Sequence, residues 1–171
     1  MNYKRSKYFT TLSKKKIKYL YIKRNSQITV VFFHGFMSDM IGAKPSAIQK
    51  FCKKQKLNFL KFEYSGHGKS TGKFIEGNIS KWTNDAKQLI KAKIEKDKVL
   101  NNKINLQIPI VLFHGLKDEV VPLNISKKVF KIFNTSKKKL IKIKNGDHSL
   151  SRKNDLKKIC KELNFMIFNH F

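Results

Sequence analysis

A chain of 171 residues is long enough to bury a core in a single domain spanning 1–171, without covalent staples. Two cysteines, Cys52 and Cys160, exclude a disulfide framework, and no apolar run nears the roughly 20 residues of a membrane-spanning helix. The 38 basic and 11 acidic residues give a formal charge of +27, which attracts polyanions in general; but only Arg5, Arg24 and Arg152 are arginines, so specific nucleic-acid reading, which favours the guanidinium fork, is not expected.

The first 25 residues, MNYKRSKYFTTLSKKKIKYLYIKRN, are basic but lack an apolar signal core, and a cytoplasmic, reducing location is expected. Within and after them, KIKYLYIK and ITVVFFHG read as strands, the second a continuous apolar run ending in glycine. Over 43–55, Ala47, Ile48, Phe51 and Cys52 share one helical face, and NFLKFE is the next strand. Trp82, Ala86, Leu89, Ile90 and Ile94 fall at helical spacing, with Ser80 as the expected cap. IPIVLFHG is again a buried-type strand, and Ile125, Val129, Phe130 and Phe133 mark the helix after it. KLIKIK gives a further strand, and Leu156, Ile159, Cys160, Leu163 and Ile167 a final amphipathic helix. Strands alternating with helices predict an α/β fold with a mainly parallel sheet of about five strands covered on both faces. Ligands in such folds sit beyond the carboxyl ends of the strands. The polar clusters HGFMSD, YSGHGKS, HGLKDEVVP and GDHSLS each follow a strand.

The stretch EYSGHGKSTGKF, residues 63–74, matches one catalytic motif and nearly matches another. GHGKS has the tail of a phosphate-binding P-loop, but that motif needs glycine where Glu63 stands, and it must open directly into a helix. GKSTG fits G-x-S-x-G with Ser70 as nucleophile. A nucleophile elbow, however, is a sharp turn in which the strand runs to the serine and the helix starts at once. Ser70 lies residues beyond the strand and well before the helix, so neither motif is expected to operate.

Taken together, VVFFHGFMSD, FEYSGHGKS, LFHGLKDEVVP and NGDHSLS resemble the conserved loops of the α/β hydrolases. SDMIGAK, FCKK, FEYSGHGKSTGKFIEGNISKW and GDHSLSRKNDL are similar to one branch, the palmitoyl-protein thioesterases and acyl-glucuronide esterases, across most of 29–163. Glu63 stands where that family carries aspartate, and Pro45 and Ser149 also depart from the branch. The resemblance implies an ester or thioester hydrolase without cofactor, acting on a small-molecule acyl substrate. It implies Asp118 as triad acid, His148 as triad base and the Phe36 backbone N–H as an oxyanion donor. The family's elbow falls between the helix ending near Ile94 and the strand beginning near Ile108. Here EKDKVLNNKINLQ joins the two and carries no G-x-S-x-G, so the chain reads as internally shortened between about 95 and 108. Without a nucleophile, and without the second oxyanion donor that follows it, the chain is expected to be inert in acyl transfer.

In the shortened sheet, 108–113 is expected beside 29–33. Non-catalytic acyl-ligand binding, dimerisation through an exposed sheet edge, and weak polyanion binding are the alternatives. His34, His67, His114, His148 and His170 show no paired ligand spacing, and no metal is expected.

Overall fold

A computed structural model describes residues 6–94, 109–133 and 135–169. The chain divides into two compact units, Met1–Asn102 and Lys103–Phe171. The segment 95–108, where the sequence places the shortened connection, lies outside the described residues, as does His170.

The first unit contains β1 (Lys7–Thr10), β2 (Lys16–Ile22), β3 (Thr29–Phe32), α1 (Ala43–Lys54), β4 (Asn58–Phe62), a single 3₁₀ turn at Phe74–Glu76 and α2 (Ile79–Lys93). Its sheet runs β1-β2-β4-β3: β1 and β4 flank β2 antiparallel, and β3 pairs parallel with β4 across the α1 crossover. β4 is bonded on both sides, which is why NFLKF reads as a near-continuous apolar run with Phe59, Leu60 and Phe62 fully buried. Asn58 opens the strand and clamps the loop between β2 and β3, accepting from Arg24 N–H at 2.6 Å and donating to Ser26 O at 2.8 Å. Ile17, Tyr19, Leu60 and Phe62 from the sheet close against Ala86 and Leu89 of α2 to form the core. Pro45 falls within the first turn of α1, where the missing N–H would have had no intrahelical partner. The cap of α2 is Asn78 rather than Ser80: Asn78 is extended and its side chain accepts from Lys81 N–H at 2.9 Å, whereas Ser80 is already helical.

The second unit contains β5 (Ile110–Gly115), α3 (Leu123–Ile132), β6 (Lys138–Ile143) and α4 (Lys153–Phe168). β5 and β6 pair parallel from Ile110↔Lys138 to Gly115↔Ile143. His114 is buried and its Nδ1 lies 2.9 Å from Ser126 Oγ, linking β5 to α3. Asp155, in the first turn of α4 and 1% exposed, takes a two-pronged bond from Arg152: Nε to Oδ2 at 2.8 Å and Nη2 to Oδ1 at 2.9 Å.

The sheet expectation is corrected. Among the described residues, six strands in two hydrogen-bonded sheets replace one mainly parallel sheet, and the pairings divide evenly, β1–β2 and β2–β4 antiparallel, β3–β4 and β5–β6 parallel. Ile110–Gly115 pairs with Lys138–Ile143 in the second unit, whereas its expected neighbour, 29–33, belongs to the first unit. β1 escaped sequence reading because its hairpin turn carries no glycine or asparagine; Lys14 itself takes the left-handed conformation, φ 60°. No helix among the described residues is long and apolar enough to cross a membrane.

Candidate functional site

The loops after β5 and β6 bring two of the expected site residues together. Gly115 ends β5, and the chain turns there, with Asp118 N–H donating to Gly115 O at 3.0 Å. Lys117 N–H donates to Gly146 O at 2.8 Å, tying this turn to the loop that follows β6. The two backbones touch at their glycines: a Cβ on Gly115 would strike Gly146 O and one on Gly146 would lie 2.8 Å from Gly115 Cα. That contact sets Asp118 against His148, with Nδ1 3.0 Å from Oδ2 and 3.2 Å from Oδ1. A carboxylate can only accept, so Nδ1 carries the proton, and in the neutral form of the ring Nε2 has the lone pair of a base.

Asp118 is held from behind as well. Its Oδ1 accepts the N–H groups of Val120 at 2.9 Å and Val121 at 2.8 Å. Burial pushes its carboxyl up, but the Val121 N–H, the His148 ring and the Val120 N–H together outweigh this and hold it below the usual aspartate value. The Asp118 side chain is 7% exposed and that of His148 55%, so the carboxylate is shielded while the ring faces outward. Asp147 shapes the same loop by accepting Leu150 N–H at 2.8 Å and Ser149 Oγ–H at 3.0 Å.

Phe36 belongs to the first unit, in the turn after β3. His34 fixes that turn: its Nδ1–H donates to Gly35 O at 2.9 Å, and its Nε2 accepts Tyr64 N–H at 3.3 Å. A ring that donates on one side and accepts on the other is neutral, and burial lowers the His34 pKa, partly offset by the Gly35 carbonyl. The Phe36 N–H donates no hydrogen bond among the described residues. Its ring is exposed and meets Phe74 and Trp82 edge-on at centroid distances of 5.1 and 5.9 Å.

Ser70 is built into the sheet. The β2–β4 register sets Lys18 opposite Glu63, one pair beyond Tyr19↔Phe62, where antiparallel partners ordinarily exchange two N–H···O bonds. One is present, Glu63 N–H to Lys18 O at 2.9 Å. The other runs through the serine: Lys18 N–H donates to Ser70 Oγ at 2.8 Å, and Ser70 Oγ–H donates to Glu63 O at 2.8 Å. The surrounding motif serves the same closure. The buried Glu63 carboxylate accepts Lys69 N–H at 2.7 Å, and Gly68, at φ 51°, lies so close that any Cβ would strike that carboxylate. Asp85, 4% exposed on α2, accepts from Ser65 N–H at 3.0 Å and Ser65 Oγ–H at 2.7 Å, and Trp82 Nε1–H donates to Ser65 O at 3.1 Å. Neither a phosphate cradle nor a strand-to-helix elbow is formed here. Beside the loop, Phe33, Phe36, Ile79, Trp82, Ala86 and Ile90 line a largely apolar cleft of about 320 Å³. Among the described residues no three His, Cys, Asp or Glu side chains are grouped to hold a metal ion.

Comparison with solved structures identifies this architecture. The chain superposes on mouse alpha/beta hydrolase domain-containing protein 10 with a TM-score of 0.84 at 19% identity, covering 96% of this chain and 98% of that one. It superposes on a putative hydrolase from Agrobacterium vitis S4 with a TM-score of 0.80 at 16% identity, covering 95% and 98%. The fold is that of the α/β hydrolases. Est1E of Butyrivibrio proteoclasticus, solved with ferulic acid, shares this hydrolase fold at a TM-score of 0.73 and 16% identity, over 94% and 98% of the two chains. In sequence, the chain is similar to the mitochondrial palmitoyl-protein thioesterase ABHD10 of rat, 38% identical over 61 residues, and of mouse, 34% over 71. Those stretches cover 36% and 42% of this chain but only 20% and 24% of the relatives. No protein-family model matches the chain. Sequence reading passed over Asp85 and Asp155, two buried carboxylates beside that of Glu63, because each sits on a helix of alternating polar character and resembles a solvated charge.

Proposed function

We propose that this chain descends from α/β-hydrolase esterases and thioesterases, keeps their acid–base pair in Asp118 and His148, and does not hydrolyse acyl esters. One observation carries this reading. The only G-x-S-x-G serine, Ser70, spends its hydroxyl as both donor and acceptor inside the sheet, 8% exposed, and stands on no elbow. An imidazole base with an orienting carboxylate but no serine on a tight corner lacks the attacking oxygen that forms the acyl intermediate. The Phe36 N–H, unused within the described residues, supports its reading as the surviving oxyanion donor. The purified chain is expected to take up no fluorophosphonate label and to turn over no short-chain acyl ester or thioester. Covalent label mapped by mass spectrometry to Ser70, or to any other serine, overturns the reading.

A second reading, binding without chemistry, is favoured by the apolar cleft, which falls within the size range of small-molecule sites. It is lined by Trp82, the single tryptophan of the chain. Methyl octanoate, an uncharged acyl ester, is expected to shift the Trp82 emission saturably and to be recovered intact. Emission that stays constant up to the solubility limit of the ester decides against this cleft as an acyl site. We read the compartment as reducing, the cytoplasm, from the sequence, whose two cysteines make no disulfide framework.

A further inference from the structure

The described part of the chain contains two arginines, and their surroundings differ. Arg152 has its fork filled by the Asp155 carboxylate. Arg24, just past β2, has its backbone N–H held by the buried Asn58, yet its side-chain Nε is buried with no hydrogen-bond partner. A buried donor on a cation is costly to leave unmet, and a missing ion or ligand is a standing explanation for one. Arg24 lines a cavity of about 220 Å³ together with Gln49, Lys50 and Lys53 of α1, over a floor that includes Leu57 and Phe59. Three cations and an amide meet there, and no carboxylate lines the cavity. The lysine-lined cleft at Lys15, Lys73 and Lys81 is different, because Glu76 and Asp85 share it and offset its charge. The carboxyl end of α1 contributes a partial charge of only about −0.5, well short of cancelling three full positive charges.

We propose that this cavity binds a phosphate-type oxyanion, either free or as the head of a small phosphomonoester, with Arg24 holding it as Arg152 holds Asp155. The guanidinium supplies parallel N–H donors matched to two oxygens of one anion, Lys50 and Lys53 supply charge at the rim, and Gln49 supplies a neutral donor. Leu57 and Phe59 give the lining an apolar part that suits a small organic remainder. The site lies entirely within the first unit and requires nothing of Asp118 or His148.

A chain of charge +27 attracts anions everywhere, so the test must hold charge constant. Inorganic phosphate and glycerol 3-phosphate are titrated into the full chain by calorimetry at about 0.15 M salt, where diffuse attraction is screened beyond a short range. Arg24→Lys keeps the charge and removes the fork; it is expected to weaken binding of both probes about tenfold or more. Lys50→Gln is expected to weaken binding as well, and Lys127→Gln, on α3, to leave it unchanged. Tighter binding of glycerol 3-phosphate than of phosphate assigns a phosphomonoester, and equal binding assigns the free ion. Wild-type affinity in Arg24→Lys, or equal losses in Lys50→Gln and Lys127→Gln, overturns the site and leaves diffuse attraction alone.

Discussion

Gly115→Ala is expected to destabilise the second unit by about 3 kcal/mol, read as a lowered denaturant midpoint, with loss of the Asp118–His148 hydrogen bond. The added methyl would meet Gly146 O, Asp147 O and Gly146 C, all backbone atoms of the loop after β6. A flexible side chain can swing away from such a contact, but a backbone loop fixed by Lys117 N–H to Gly146 O and Gly146 N–H to Ile143 O cannot. The loop would have to separate from the β5 turn, and those are the two segments that carry His148 and Asp118. The low-field imidazole Nδ1 proton, expected in the wild type, reports that separation directly. Gly35→Ala is the matched control, since Phe-His-Gly occurs at both 33–35 and 113–115. A Cβ at Gly35 meets nothing within 4 Å, and the change is expected to stay within about 0.5 kcal/mol. Equal tolerance at the two positions would mean that the glycine contact does not hold the acid–base pair together.

That repeated tripeptide also shows what the sequence could and could not reveal. The apolar runs ending in Phe-His-Gly announce two strands reaching polar loops, and the structure has both, β3 and β5. Nothing in the letters tells His34, which fastens a turn through Gly35 O and Tyr64 N–H, from His114, which reaches Ser126 on a helix. Those partners depend on which loop folds over which strand end, and periodicity carries no record of it. Asp118 and His148 lie 30 positions apart, and only their likeness to a family's loops drew them out; spacing alone would have left each a solvated polar residue. Their meeting follows from the parallel register that ends with Gly115 opposite Ile143. The helices were plain from their apolar stripes, while β1 was hidden by a turn built on lysine and the α2 cap was misplaced onto Ser80, a good capping residue beside a better one.

Ser70→Ala is expected to lower stability by about 2 kcal/mol while leaving reactivity toward fluorophosphonates at the background of the wild type. The size follows from what the hydroxyl does. It relays one rung of the β2–β4 ladder, taking the proton of Lys18 N–H and giving its own to Glu63 O, so its removal leaves a buried donor and a buried acceptor facing each other across a gap. The strands cannot simply close that gap, because the partner rung, Glu63 N–H to Lys18 O, already fixes their spacing at 2.9 Å. The glycine loop would then be held by Lys69 N–H to the Glu63 carboxylate and by the two bonds that Thr71 exchanges with Lys16 of β2. A nucleophilic serine predicts the reverse pattern: a fold that barely notices the missing oxygen, since attacking hydroxyls stand exposed and little used in the resting protein, and a label that disappears. Thermal melts and gel fluorescence on the same two samples separate these outcomes. A stable Ser70→Ala chain that has lost labelling would return the serine to chemistry; a weakened chain with unchanged, empty labelling leaves it as a rung of the sheet.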